Sequence, residues 1–464
     1  MRYIGNVEKD GQVRAVASGA LSTGDTVIVN SDGTVSVVEG GVSVSQTTTF
    51  EGSDVTDVAA TYDSTSEVIV VAYKEGSTSE GTAVVGTISG GSITFGTPVV
   101  FESGSVDSIT ATYNSAQNKT LISYRTNFNG YAIVGTVSGT SISFGGRSIF
   151  VSSGGQQQAA AYDSNSGVVV IAYRDETATD GGSARVATIS GTSVSFGTAV
   201  QYEAGDTRDQ SATFDSSTNQ VVIVYRDQDN SGFGTAVVGS VSGTSISFGT
   251  PVVFKSVLTI DKVVSYNSTA NRILVVYEER NTNEGVAAVG TVSGTSISFG
   301  TEVVFSPSGE FSDNYSAVSS GSNVHITYDA VGVAKTVSAS ISGDSVSFDS
   351  PSTIFTGTNI DRSLVFDPNA GLFADFFREG TSGTAVLFSS GSNLTTENFL
   401  GFAAHTYADT QSAVINSTCT VDRNQSGLTA GQKYYVQTDG TLSTTAGSVE
   451  AGTAISSTEI IVKG

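Results

Sequence analysis

Two kinds of apolar pattern alternate along this chain. One is a continuous run, as in Val221-Val222-Ile223-Val224-Tyr225; the other is strict alternation with serine, as in Ser245-Ile246-Ser247-Phe248. A short continuous run suits a strand buried on both faces, whereas alternation puts Ile246 and Phe248 on one face and the serines on the other. The 3.6-residue period that a helical solenoid needs is absent.

Both patterns recur. The aromatic that closes the continuous run stands at Tyr73, Tyr124, Tyr173, Tyr225, Tyr277, Tyr328 and Phe377, at intervals of 49 to 52 residues, which makes seven copies. An upstream aromatic keeps step at Tyr62, Tyr113, Tyr162, Phe214, Tyr266 and Phe366, with Ser319 in its place in the sixth copy. Each copy is expected to supply four strands, with turn residues such as Asp215 to Asn219 between the first two. Four short strands per ~50 residues is the length of a propeller blade, and a blade needs a neighbour on each side to bury its faces.

The fold class expected is therefore all-β: a seven-bladed β-propeller of four-stranded blades, with an open repeat array as the alternative. Closure has its own signal. The strand ending at Phe50 has no Ser-x-Ser-Phe-Gly before it, and Thr384-Ala385-Val386-Leu387 has no Pro-Val-Val-Phe after it. The N-terminal strand, residues 42–50, is expected to complete the last blade.

The chain ends also resemble each other. Leu21-Ser22-Thr23-Gly24-Asp25-Thr26-Val27-Ile28-Val29 echoes Leu428-Thr429-Ala430-Gly431-Gln432-Lys433-Tyr434-Tyr435-Val436, and each is followed by an Asp-Gly pair, Asp32-Gly33 and Asp439-Gly440, that suits a hairpin turn. The expected domains are residues 1–40 and 398–464, forming one small β module, and residues 41–397, forming the propeller inserted in it. Two separate flaps are the alternative.

Composition narrows the function. Glycine (53) is abundant, proline (5) scarce and the charged fraction 14%, which fits many strands and tight turns. A net charge of −23 argues against nucleic acid and against anionic membranes as partners. No apolar run approaches the ~18 residues of a membrane span, so membrane insertion is not expected. The start, Met1 to Glu8, lacks the apolar core of a signal peptide. Cys419 is the only cysteine, which leaves no intrachain disulfide and no cysteine-based zinc cluster.

Catalytic signals are weak. The two histidines, His325 and His405, are far apart, and His325 stands where other copies place an apolar strand residue. Asp63, Asp163, Asp215 and Asp367 share one turn position with Asn114 and Asn267; that swap keeps turn geometry and abolishes acid–base chemistry. There is no tryptophan to stack on a sugar ring. No catalytic or cofactor-binding residue is assigned, and a glycan-degrading enzyme is a remote reading. The metal candidate is calcium at Asp227, Asp229 and Ser231, positions 1, 3 and 5 of a loop with Gly232 at 6; Val238 stands where the bidentate glutamate belongs. Lys74, Arg125, Arg174, Arg226 and Arg378 follow the marker aromatics, with Glu75, Asp175, Asp227 and Glu379 beside them. They form either inter-blade ion pairs or an exposed charged rim.

The run Gly239-Ser240-Val241-Ser242-Gly243-Thr244-Ser245-Ile246-Ser247-Phe248-Gly249-Thr250-Pro251-Val252-Val253-Phe254 resembles repeats in tail-fibre-like and other virion proteins of marine bacteriophages. The Leu428 to Thr441 stretch, with the closing Ile460-Ile461-Val462-Lys463-Gly464, is similar to C-terminal modules of such proteins. The resemblance covers nearly the whole chain and supplies no catalytic residues. It implies a non-enzymatic component of the virion surface with other virion proteins as partners. In one version the terminal module docks and the propeller binds a host receptor or glycan, with variation concentrated in one set of loops. In the other the chain is a capsid or tail decoration, a role suited to a symmetric homo-oligomer. The hairpins at 76–79, 126–130, 176–182, 228–232 and 281–284 do vary in length and charge.

Overall fold

The computed structural model describes residues 7–8, 11–30, 33–38, 42–177, 179–308, 312–357, 359–390, 394, 398–437, 440–445, 447 and 449–463. The chain divides into two compact units, residues 1–42 with 390–464, and residues 43–389. Antiparallel sheets build both. Among the described residues no helix is long and apolar enough to cross a membrane.

The fourth copy shows the plan of the larger unit. Thr207–Asp215 pairs with Gln220–Asp227, which pairs with Phe233–Ser242. The ten-residue third strand then takes two short partners on its outer edge: Ser245–Phe248 along its second half and the start of Val252–Asn267 along its first. The expected four strands are thus three long ones and a fourth split in two, because neither four-residue run can cover the third strand alone. Val252–Asn267 continues into the fifth copy, so one nine-stranded sheet holds two copies; five-stranded sheets of the same plan start at Val55, Val106, Gln156 and Ser312.

The last sheet is Asn359–Asp367, Leu372–Glu379 and Ser382–Ser390, with Val42–Glu51 at its outer edge. That one strand covers the edge that two short strands share elsewhere. Its Phe50 ring lies 6.0 Å from Phe376 of the last copy and 5.4 Å from Tyr73 of the first. Room for it comes from Gly383, where a Cβ would stand 2.5 Å from the ring.

Continuous apolar runs form where both faces of a strand are covered. Val221, Ile223 and Tyr225 pack with Val170 and Ala172 of the preceding copy, while Val222 and Val224 pack with Val275 and Tyr277 of the following one. Each fully buried aliphatic contributes about 1.5–3 kcal/mol. The first strands touch in series, and the last, Asn359–Asp367, touches the first, Val55–Asp63. Hydroxyls bridge these neighbours: Ala60 N–H donates to Ser363 Oγ (2.9 Å), Tyr113 N–H to Thr61 Oγ1 (3.1 Å) and Leu364 N–H to Ser316 Oγ (2.8 Å). The glycine of Ser-Phe-Gly sets copy-to-copy spacing. A Cβ on Gly197 would lie 1.8 Å from the Thr244 carbonyl oxygen of the next copy. The arrangement is β-propeller-like.

In the smaller unit one sheet alternates the two chain ends: Gln12–Val16 pairs with Ser412–Asn416, and Thr26–Val29 with Phe399–Ala403. A second sheet carries Lys433–Val436 and Leu442–Ser443. Gly33 and Gly440 have φ of +89° and +80°, as tight turns require; Asp32 and Asp439 lie outside the described residues.

Candidate functional site

The two ends of the sheets in the larger unit differ. At one end, the turn from first to second strand is built the same way in six copies. Asp63 Oδ1 accepts the N–H groups of Thr65 and Ser66, and Asp163, Asp215 and Asp367 repeat this arrangement. Asn114 and Asn267 use Oδ1 likewise on Gln117 and Ala270. These side chains are buried and consumed as turn caps. The two-residue turns from third to fourth strand share this end, with a glycine at φ of +57° to +62° in each of six copies.

The opposite end is irregular. Hairpins from second to third strand have five residues at 76–80, 176–180 and 228–232, four at 280–283, and two at 127–128, 331–332 and 380–381; Ala178 lies outside the described residues. Large apolar side chains stand exposed at two of the short tips, Phe128 (71%) and Val331 (69%). The Arg125 guanidinium sits 5.2 Å from the Phe128 ring centroid.

Charged side chains underlie these hairpins, and their partners differ from the neighbours expected in sequence. Arg125 pairs with Asp107 and, in the next copy, with Glu176, both at 3.2 Å. Arg174 reaches Asp180 (2.9 Å) and Asp206 (2.8 Å), the latter leading into the fourth copy. Arg226 lies 3.4 Å from Asp209, and Arg378 of the last copy 2.6 Å from Asp54 of the first. The arginines are largely shielded, so these are inter-copy and cross-strand pairs rather than an exposed rim. Glu75 turns into its own hairpin, accepting from Ser77 and Thr78, which hold its carboxyl down at about 2.

Also at this end, the first strand of every copy carries a bulge residue in the left-handed region: Asp57, Ser108, Gln157, Asp209, Asp261, Asn314 and Asp361, with φ of +48° to +54°. Several of these side chains bind the next copy. Asp57 accepts Ser108 N–H, Ser108 Oγ accepts Gln157 N–H, and Gln157 Oε1 accepts Asp209 N–H, at 2.7 to 3.1 Å. Burial raises the Asp57 carboxyl and, with the nearby Asp57 charge, lifts Asp361 to about 6.

The calcium candidates share one hairpin. Asp227 closes the second strand and accepts Asn230 N–H at 3.1 Å, Asp229 stands beside Gly205, and Ser231 has φ of +59°. Among the described residues no three His, Cys, Asp or Glu side chains cluster as a metal site would need. His325 is buried against Phe373, ring centroids 4.1 Å apart, and burial lowers its pKa to about 4. His405 is exposed in the other unit.

No protein-family model and no curated protein matches the chain. Solved structures do match. The crystal structure of BP39L lectin from Burkholderia pseudomallei aligns with a TM-score of 0.57 at 11% identity, covering 73% of this chain and 96% of that one. The likeness is one of fold. AofleA from Arthrobotrys oligospora aligns at a TM-score of 0.44, 10% identity, over 74% of this chain and 98% of that one. NanB plus Optactamide aligns at 0.44 and 10% over 74% and 70%.

Proposed function

We propose that the chain is a non-enzymatic recognition protein: a seven-bladed β-propeller, closed by Val42–Glu51, that presents its irregular end to a glycan on a cell surface. The observation that carries this reading is the asymmetry within one repeat. Turns at one end are held to a single design in nearly every copy, while hairpins at the other vary from two to five residues and expose Phe128 and Val331. Scaffold positions keep one solution when stability is their task, and loops diversify where they meet a ligand. That the matching BP39L is a lectin supports a glycan as the ligand class. The recurrent aspartates serve as turn caps, which favours binding over hydrolysis. The resemblance of the repeats to bacteriophage virion proteins supports a virion-surface role, with the terminal unit docking to other virion proteins.

The test is a glycan array probed with the intact chain and with a variant whose hairpins 176–180, 228–232 and 280–283 are replaced by Asn-Gly. Three copies already use two-residue hairpins, so the fold accommodates the change. Selective binding by the intact chain, lost in the variant with unchanged thermal stability, is expected. Equal binding by both moves the site off this end; no binding by either leaves the decoration role.

A further inference from the structure

The position four residues before the upstream marker aromatic lies directly after each bulge, between neighbouring copies. Copies one and two fill it with Val58 and Ile109, as an apolar interface demands. The remaining copies place Gln158, Gln210, Lys262, Tyr315 and Arg362 there, and all five line one cavity of about 300 Å3. Polar side chains replacing apolar ones at equivalent positions, most of them buried and all meeting in one space, mark a built site.

The two glutamines supply the decisive detail. Each is only 9% exposed. Gln158 Nε2 donates to the Gly155 carbonyl (2.9 Å), an acceptor only, which fixes the amide orientation; Gln210 Nε2 donates to Thr207 Oγ1 (2.7 Å). Both Oε1 atoms are buried without a partner. Lys262, next in the series, donates from Nζ to the Thr259 carbonyl (3.2 Å) and stands 3.7 Å from Asp209. Burial lowers its pKa to about 8. Arg362 is committed to Asp375 at 2.8 Å. With Arg362 paired to Asp375, and Asp209 lying between Arg226 (3.4 Å) and Lys262 (3.7 Å), the lining offers no uncommitted cation to a carboxylate or phosphate ligand. A ligand hydroxyl suits a lining of amides, carboxylates and hydroxyls, because it can both donate and accept.

We propose that this cavity binds one neutral, hydroxyl-rich molecule the size of a sugar ring, recognised by the polar side chains that these five positions bring to its lining. The inference rests on the glycan reading of the larger unit and assigns it a second, deeper subsite separate from the hairpin tips.

The experiment titrates the intact chain by calorimetry with glucose, galactose, mannose and fucose, and with sialic acid as the anionic control. The titrations are repeated on the Q158L/Q210L variant and on the hairpin-shortened variant. Saturable one-site binding of a neutral sugar is expected, weakened at least tenfold in Q158L/Q210L and unchanged in the hairpin variant. Leucine at both positions follows Val58 and Ile109, and a thermal melt no lower than that of the unaltered chain verifies folding. No saturation by any neutral sugar, preference for sialic acid, or equal affinity in Q158L/Q210L overturns the proposal. Array binding that depends on the hairpins without monosaccharide binding refutes this subsite alone. Monosaccharide binding with hairpin-independent array binding refutes the hairpin reading alone.

Discussion

Replacing His325 with valine should remove a specific acid sensitivity from the larger unit. His325 stands three residues before Tyr328, where other copies carry Val70, Leu121, Val170, Val222, Leu274 and Ala374. It is 4% exposed, its Nδ1 has no partner, and burial holds its pKa at about 4 against an ordinary 6.5. The unfolded chain takes up a proton near pH 6.5, whereas the folded chain refuses it until about pH 4. The contribution is therefore intact above pH 6.5 and lost as pH falls through that window. Each pH step of one within it costs about 1.36 kcal/mol, so the loss is about 2 kcal/mol at pH 5 relative to pH 7. Asp361 and Asp375, both raised to about 6, act with the opposite sign, losing stability as pH rises from the ordinary carboxyl range through 6. They are common to both proteins and cancel in the comparison. Urea unfolding of the unaltered chain and H325V at pH 7 and pH 5 measures the difference. The gap is expected to move by about 2 kcal/mol in favour of H325V at pH 5. An unchanged gap, or an imidazole titration by NMR centred near 6.5, refutes it.

Other expectations follow from the same packing. G197A should destabilise the larger unit by about 3 kcal/mol or more in urea unfolding, because the new Cβ meets a backbone carbonyl that cannot swing away. G243A, at φ of +62° with open space around it, should cost about 1–2 kcal/mol. F50A should cost about 3–5 kcal/mol in the same assay, since Phe50 joins the first and last copies; a loss below 1 kcal/mol would show that Val42–Glu51 does not close the repeats. D375N should cost about 3–5 kcal/mol by removing the buried carboxylate that Arg362 meets at 2.8 Å, and R362L/D375L should recover much of that.

The strands of the larger unit are legible in the sequence because burial on two faces leaves a run that alternation does not. Val221 to Tyr225 announces itself this way. The turn aspartates are legible too, since Asp63 and Asn114 exchange in a role that uses only a side-chain oxygen. The split outer strand is not: Ser245–Phe248 and the run at Val252 look like successive full strands until one long partner is seen to hold both. The bulges at Asp57 and its equivalents are hidden for a different reason, as non-glycine residues adopt φ near +50° there without a compositional mark. Partners of the arginines escape because Glu176 and Asp206 reach Arg125 and Arg174 only across copies. The cavity residues did leave a trace: aligning the copies on Tyr62 and its equivalents puts Gln158, Gln210, Lys262 and Arg362 where Val58 and Ile109 set an apolar expectation.

Hydrogen–deuterium exchange, with and without the glycan selected on the array, tests the binding surface most directly. Slowed exchange in the hairpins at 127–128, 176–180, 228–232 and 280–283, with no change in the turns at 64–67, 164–167 and 216–219, is the predicted footprint. Protection confined to those turns, or to residues 398–463, would contradict the account.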